Sequence, residues 1–465
     1  MKQFNGEKST ARDMTRGPIL RQLVFFALPL MLGNVFQLLY NMVDSVIVGN
    51  FVSKQALAAI GSTTVIVSMI VFFFSGFAIG AGVVIGNSFG AKNMERLHDA
   101  IHTAIAAAFV FSLLLTILGV ATVKPMLTLM RTPEDVFQDA ALYLRIYIGG
   151  ISGLLIYNMG SGILRAVGDS IRPLGFLILT SILNILLDLL FVLVLKAGIA
   201  GAAIATILSQ FVSAALTLLL LTRTGDIYRL NWRELHIALP ILKEIFAIGM
   251  PAALQAVITS FSNIFVQGYI NAFGSDVMAG WSCYNKLDHF IFLPMQSMSM
   301  ASTTFVSQNT GAGNEQRSRR GTVLAILITT LVTGAVAAVL TVIAPEAVQM
   351  FSPDREVIRY GAMFIRTNAF FLLFNGVAQV LAGALRGRGD SRGPMIIMLA
   401  NFVVVRQIYL YWVTHFVANT PRLVGFGYPV GWTCCCITEL LYVWIRQHRR
   451  KAAGANPTPA AENHR

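Results

Sequence analysis

The residues best suited to chemistry lie inside apolar text. The run from Ile19 to Gly49 is apolar enough to cross a bilayer, yet it carries Gln37, Tyr40, Asn41 and Asp44 at helical spacing on one side. An Asp near the centre of a membrane helix costs roughly 2.5–3.5 kcal/mol to insert, so it normally faces a polar cavity and marks an ion or substrate path. The plainer alternative is that Asp44 sits near a helix end and reaches the headgroups. A second carboxylate, Asp188, follows Asn184 by four residues, which puts the two side chains one above the other on a helix face. The next apolar run adds Thr206 and Gln210 beside Gly201-Ala202-Ala203, small residues that permit close helix approach. Tyr143, Tyr157 and Asn158 belong to the fourth run, where they read either as interfacial or helix-packing groups or as part of a polar path.

Two carboxylates brought together in a low-dielectric cleft repel each other, and a shared proton relieves that repulsion. This suits a proton carrier. The same oxygens, joined by an amide and a hydroxyl, equally suit a bare alkali cation, a hard ion that prefers oxygen ligands. The candidate cation site is therefore Asp44, Asn184, Asp188 and Thr206, with H⁺ and Na⁺ both open.

The elements that must position these groups are membrane helices. Of 465 residues, 55% are hydrophobic and 12% charged, with a mean hydropathy of +0.68; a soluble domain carries about twice that charge. Runs long enough for a hydrocarbon core of about 30 Å number about twelve. They lie near 19–49, 55–86, 98–123, 136–162, 173–195, 199–222, 240–272, 277–306, 320–344, 357–384, 394–418 and 427–446. No ten-residue alternating segments suggest a barrel. The expected class is an all-α membrane protein: two pseudo-symmetric six-helix bundles around a central cleft.

The net charge of +13 is a topology signal rather than a nucleic-acid footprint. Lys2, Lys8, Arg12, Arg16 and Arg21 precede the first span, and Lys92, Arg96, Arg165, Arg172, Arg317, Arg319, Arg320, Arg386, Arg388 and Arg392 fall in every second connection. Lys54, Lys124, Lys196 and Arg422 are sparse on the other side. By the positive-inside rule both termini are cytoplasmic, and the plasma membrane is the expected location, with the lipid bilayer as partner. The expected organisation is a cytoplasmic segment 1–18, an N-lobe 19–222, a cytoplasmic linker 223–239, a C-lobe 240–447 and a disordered tail 448–465. No cleavable signal is expected.

The chain also repeats itself. Phe26-Ala27-Leu28-Pro29 is answered by Ile248-Gly249-Met250-Pro251, and Gly90-Ala91-Lys92-Asn93 by Gly311-Ala312-Gly313-Asn314. Leu164-Arg165-Ala166-Val167-Gly168-Asp169-Ser170 is answered by Leu385-Arg386-Gly387-Arg388-Gly389-Asp390-Ser391. The offsets agree, and each half starts on the same side, which indicates a parallel repeat about an axis along the membrane normal. Gly-Asp-Ser predicts a tight turn that caps the next helix, with Pro173 and Pro394 in its first turn. Gly387-Arg388-Gly389-Asp390 fits the Gly-x-Gly-Asp pattern of intramembrane aspartyl proteases, but its basic loop and its duplication argue for a turn.

With these motifs the chain resembles the multidrug and toxic compound extrusion family over about residues 15 to 448. Asp44 in Tyr40-Asn41-Met42-Val43-Asp44-Ser45, together with Asn184-x-x-x-Asp188, resembles the branch named for DNA-damage-inducible proteins. The resemblance implies a cation-coupled antiporter that exports amphipathic, often cationic, small molecules by alternating access. It also implies that Asp44, Asn184, Asp188 and Thr206 hold the cation, and that Gln37, Tyr40 and Tyr143 form a polar network linked to substrate. Asn41 and Asn158 join the substrate-side candidates. A sister branch keeps acids in spans seven and ten; here those stretches offer Asn263, Gln267 and Asn375, which speaks against a C-lobe cation site.

Other polar residues read as structural. Arg406 and Glu439 are mid-span and are expected to pair, and Lys286, Asp288 and His289 to form a local cluster at a helix end. Met295, Met298 and Met300 read as packing, as do Cys283, Cys434, Cys435 and Cys436, whose spacing suits neither a metal nor a disulfide framework. His102 and His415 receive no role. The competing functional class is a lipid-linked oligosaccharide flippase, which needs arginines facing a pyrophosphate and here has Arg406 alone. An enzyme is not expected, since HExxH, a Walker A loop and a Ser/His constellation in a span are all missing from the sequence. No cofactor beyond the coupling ion, no nucleic acid and a monomeric state complete the expectation.

Overall fold

The computed structural model describes residues 12–130 and 132–452. The first half opens with α1 (Ile19–Phe51), α2 (Lys54–Gly90) and α3 (Met94–Leu129), which are long single helices. The fourth span is two helices, α4 (Glu134–Gly149) and α5 (Ser152–Ala166), bent by 46° where Gly149 and Gly150 interrupt the apolar run. Next comes α6 (Ile171–Asp188), which continues as a π-helical turn over Leu189–Val194, and then α7 (Gly198–Arg223).

The second half repeats this order. It comprises α8 (Leu239–Asn271), α9 (Ser275–Gly311), α10 (Glu315–Val342), a short α11 (Ala344–Gln349), then α12 (Arg355–Asn368) and α13 (Leu372–Gly387) as one span. It closes with α14 (Arg392–Leu399), α15 (Arg406–Trp412), a short α16 (Pro421–Gly425) and α17 (Gly427–Ala452). By length and composition, nine described helices can cross a membrane, ten with the bent pair. The long helices α9 and α17 complete the two sets of six, and no strand occurs among the described residues. Because α17 runs to Ala452, the first residues of the expected disordered tail are helical. Residues 453–465, with the rest of that expectation, and residues 1–11, with Lys2 and Lys8, lie outside the described residues.

The repeated loops show why the repeated residues are there. Gly168 (φ 88°) and Gly389 (φ 81°) both take the left-handed conformation that a Cβ disfavours. Asp169 Oδ1 then accepts from the N–H groups of Ile171 (3.1 Å) and Arg172 (3.2 Å), and Asp390 Oδ1 from that of Gly393 (3.0 Å). The aspartates, not the serines, therefore cap the following helices. Asn93 and Asn314 cap α3 and α10 in the same paired way, accepting from Arg96 N–H (3.0 Å) and Arg317 N–H (3.1 Å).

The halves pack α2 against α8 and α9 near the ends that carry the basic loops. A methyl group at Gly76 would fall 2.7 Å from Ala253 Cα, one at Gly80 2.8 Å from Gly249 N, and one at Gly311 2.9 Å from Asn87 Cα. Glycine here brings backbones into contact, the usual device for close helices in lipid. The segment before α1 is wedged into the same seam. Met14 is buried, its N–H donates to Gln308 Oε1 (2.9 Å), and its carbonyl accepts from Asn309 Nδ2 (3.2 Å) and Arg317 Nε (3.2 Å). Toward the far ends, Gln37 and Asn41 on α1 and Phe261, Ile264 and Phe265 on α8 stay exposed.

Candidate cation and substrate site

Asp44 lies in the last third of α1, a helix that passes through Pro29 unbroken. Around buried Gly33, α1 packs on α6, with Leu177 and Leu174 in ordinary van der Waals range of where a Cβ would stand, 3.4 and 3.6 Å away. On α6 the buried polar face is Thr180, Ser181, Asn184 and Asp188, the last with no exposed surface. Asp188 is also the final α-helical residue before the π turn at Leu189–Val194. Such a turn loosens the regular ladder and is frequent at functional sites.

The carboxyl groups of Asp44 and Asp188 are within hydrogen-bonding reach of each other. Two carboxylates have no hydrogen to share, and among the described residues no donor reaches either oxygen of Asp188, Oδ1 of Asp44 or Oδ1 of Asn184, while Asn184 Nδ2 finds no acceptor. An ionised pair in this position is held in repulsion unless a proton or a cation lies between the acids. Like unit charges about 4 Å apart at an effective dielectric near 20 repel by on the order of 4 kcal/mol, which sets the scale for an ionised pair in hydrogen-bonding reach. Oxygen donors without partners, two of them carboxylates, fit a proton or a hard alkali cation.

An aromatic wall stands beside the acids. Tyr143 on α4 is buried within electrostatic range of both Asp44 and Asp188, and it stacks on Tyr147 with ring centroids 6.0 Å apart. Tyr147 in turn accepts a hydrogen bond from Gln210 Nε2 at 3.4 Å. Tyr40, three residues from Gln37 on the same face of α1, is within electrostatic range of Asp44 and Tyr147. Tyr147 was missed in the sequence; its signal is the spacing of four from Tyr143, which puts it on the same helix face. The structure thus gathers Asp44, Asp188, Tyr40, Gln37 and Tyr143, with Asn184 one turn from Asp188. Thr206 donates to Ala202 O (3.1 Å) on its own helix, Asn158 is half-buried on α5 with an unpaired Nδ2, and Asn41 is exposed. None of these three makes a hydrogen bond to the acids.

Two sequence expectations for the second half need correction. Arg406 and Glu439 do not pair: Arg406 donates to Ser262 Oγ (2.7 Å) and lies over the Tyr428 ring (4.9 Å), while fully buried Glu439 is near Arg386. Their rotations about the helix axes turn them to different neighbours. Lys286, Asp288 and His289 do not cluster either. Asp288 accepts from Tyr284 (3.4 Å) and Lys286 covers Phe351 (5.3 Å). All four cysteines are free.

Comparison with known proteins agrees with the duplicated architecture. The MatE family model matches twice, over residues 29–190 and 251–412. The chain belongs to the MatE family. Among curated relatives it is similar to "Probable multidrug resistance protein YpnP" of Bacillus subtilis (strain 168), 28% identical over 448 residues that cover 95% of this chain and 98% of that one. It is also similar to "Multidrug export protein MepA" of Staphylococcus haemolyticus (strain JCSC1435), 22% identical over 93% of this chain and 94% of that one. Among solved structures it superposes on the outward-facing conformation of a multidrug resistance MATE family transporter of the MOP superfamily, with a TM-score of 0.90. That match is 24% identical and covers 96% of this chain and 100% of the other, so it shows the MatE fold.

Proposed function

We propose that this MatE protein is a cation-coupled multidrug antiporter that exports amphipathic, often cationic, organic molecules by alternating access. The observation that carries the reading is the Asp44–Asp188 carboxyl pair inside the first half, in which both oxygens of buried Asp188 and Oδ1 of half-buried Asp44 meet no donor among the described residues. The named multidrug exporters among its relatives support the substrate class.

The coupling follows from charge. With both acids ionised, the first half carries excess negative charge beside Tyr40 and Tyr143, a setting that attracts an organic cation through charge and aromatic faces. A proton or Na⁺ arriving between Asp44 and Asp188 removes the repulsion, draws α1 toward α6 around Gly33 and Pro29, and weakens the hold on the cationic substrate. Each ligand expels the other, which is the requirement for exchange. Asn184 and Thr206 remain candidate neutral donors for the ion, and Gln37, Asn41 and Asn158 for substrate. In this proposal the protein works as a monomer in the plasma membrane with both termini on the cytoplasmic side, an orientation supported by the cations in every second connection.

The flippase reading is weaker, because Arg406 is engaged by Ser262 and Tyr428 rather than facing a pyrophosphate cavity. The test is transport in proteoliposomes under an imposed pH or Na⁺ gradient, with an ethidium-like dye against a lipid-pyrophosphate probe. Gradient-driven dye movement that is lost in Asp44→Asn and Asp188→Asn supports the proposal. Movement that persists in both variants, or that is seen for the lipid probe alone, overturns it.

A further inference from the structure

A separate cluster lies where the linker between the halves crosses the start of α3. His98 and His102 are four residues apart on α3, so both imidazoles project from one helix face, with ring centroids 3.8 Å apart. Glu234 reaches them from the short 3₁₀ turn Trp232–Glu234 in the linker, its Oε2 2.8 Å from His98 Nε2. One ligand atom from each of the three residues lies within 4.8 Å of the other two. We propose that His98, His102 and Glu234 form a binding site for a divalent transition-metal ion, zinc by the chemistry of its donors, which clasps the linker to α3.

Two imidazoles and a carboxylate are a borderline-soft nitrogen and oxygen set, which suits Zn²⁺ and discriminates against Ca²⁺ or Mg²⁺. Histidines four apart on a helix already form half of such a site, because both nitrogens reach one point beside the helix. Fully buried His102 is placed as ligating histidines usually are: Nδ1 lies 2.7 Å from the His98 carbonyl, and in the tautomer with its proton on Nδ1 the Nε2 lone pair is aimed at the linker. In that tautomer Nε2 accepts the Asn231 N–H at 3.0 Å and also lies 3.2 Å from the Asn231 carbonyl, and a metal bond would replace both contacts. Asn231 also holds the carboxylate, donating from Nδ2 to Glu234 Oε1 at 2.6 Å. Asp99 and His236, 3.4 Å apart at the rim, offer further ligands as the ion settles. His98 and Glu234 are solvent-accessible, so the ion has an entry path.

Cobalt is the probe, since its visible absorption reports coordination number, with zinc as competitor. The full chain, freed of any purification tag and treated with chelator, is titrated in detergent. One equivalent of Co²⁺ should bind with ligand-field bands and be displaced by Zn²⁺. His98→Ala and Glu234→Gln should each weaken binding at least about tenfold, while His415→Ala on the remote α15–α16 connection leaves it unchanged. Zn²⁺ should also slow proteolysis within residues 223–239 of the wild type, a readout that survives if His98→Ala does not fold. No saturable binding, or equal affinity in His98→Ala and Glu234→Gln, overturns the site.

Discussion

Gln308 and Ala166 belong to opposite halves of the molecule, and Gln308 Nε2 donates to the Ala166 carbonyl at 2.8 Å in a fully buried position. The same amide accepts from Met14 N–H through Oε1, so one side chain ties both halves and the segment before α1 together. Gln308→Ala leaves a buried carbonyl and a buried N–H without partners, at a cost of about 1–3 kcal/mol each. Spin labels placed at Glu95 and Glu315 should then report a longer and broader distance across the seam. An unchanged distribution would show that this bond does not hold the seam closed.

Gly80 offers a second test of the seam. Its missing side chain leaves room for the backbone of Gly249, 2.8 Å from where a Cβ would stand. Gly80→Val must push α2 from α8, and overpacking of this kind costs about 1–3 kcal/mol. A lowered thermal unfolding temperature in detergent is expected, and a melting curve identical to wild type would contradict the packing described.

Asp188→Asn should separate stability from function. Removing one charge relieves a repulsion on the order of 4 kcal/mol, so the variant is expected to be more thermally stable than wild type in the absence of coupling ion, yet inactive in gradient-driven transport. Stabilisation bought against activity is the signature of a functional site under strain. A variant that is both destabilised and active would point to a structural role instead.

Arg406 gives the opposite signature. Its guanidinium satisfies Ser262 and packs on Tyr428 inside the second half. Arg406→Ala should lower stability by about 2–3 kcal/mol through the cavity left against Tyr428 and the lost bond to Ser262, whose hydroxyl keeps its bond to Phe402 O at 3.1 Å, with dye transport per folded molecule retained. Selective loss of transport in a stable variant would assign Arg406 to the substrate path.

These tests fall at places where one-dimensional text is more and less informative. The helices were legible because a bilayer demands length and apolarity, and the duplicated Gly-Asp-Ser loops were legible because a left-handed glycine followed by a capping aspartate leaves a recognisable string. The face of α6 that carries Asn184 and Asp188 followed from a spacing of four. Which neighbour that face meets is a matter of helix rotation and approach, and nothing in a periodic pattern states it. The same blindness produced the expected Arg406–Glu439 pair, since two mid-span charges look like partners until Ser262, Tyr428 and Arg386 are seen to stand closer. The bend between α4 and α5 and the π turn after Asp188 leave only faint marks, two adjacent glycines in one case and none in the other. The linker cluster was missed because His98, His102 and Glu234 are more than a hundred residues apart in part and meet only through the return of the chain at Asn231.

The central claim is that Asp44 and Asp188 together hold one exchangeable cation that an organic cation displaces. It is tested most directly by binding an ethidium-like dye to the purified protein while following proton release with a pH indicator and Na⁺ release with ²²Na⁺. The account predicts about one cation of one kind released per dye bound in the wild type, and none in Asp44→Asn or Asp188→Asn. Dye binding that releases neither ion, or equal release from both variants, would contradict it.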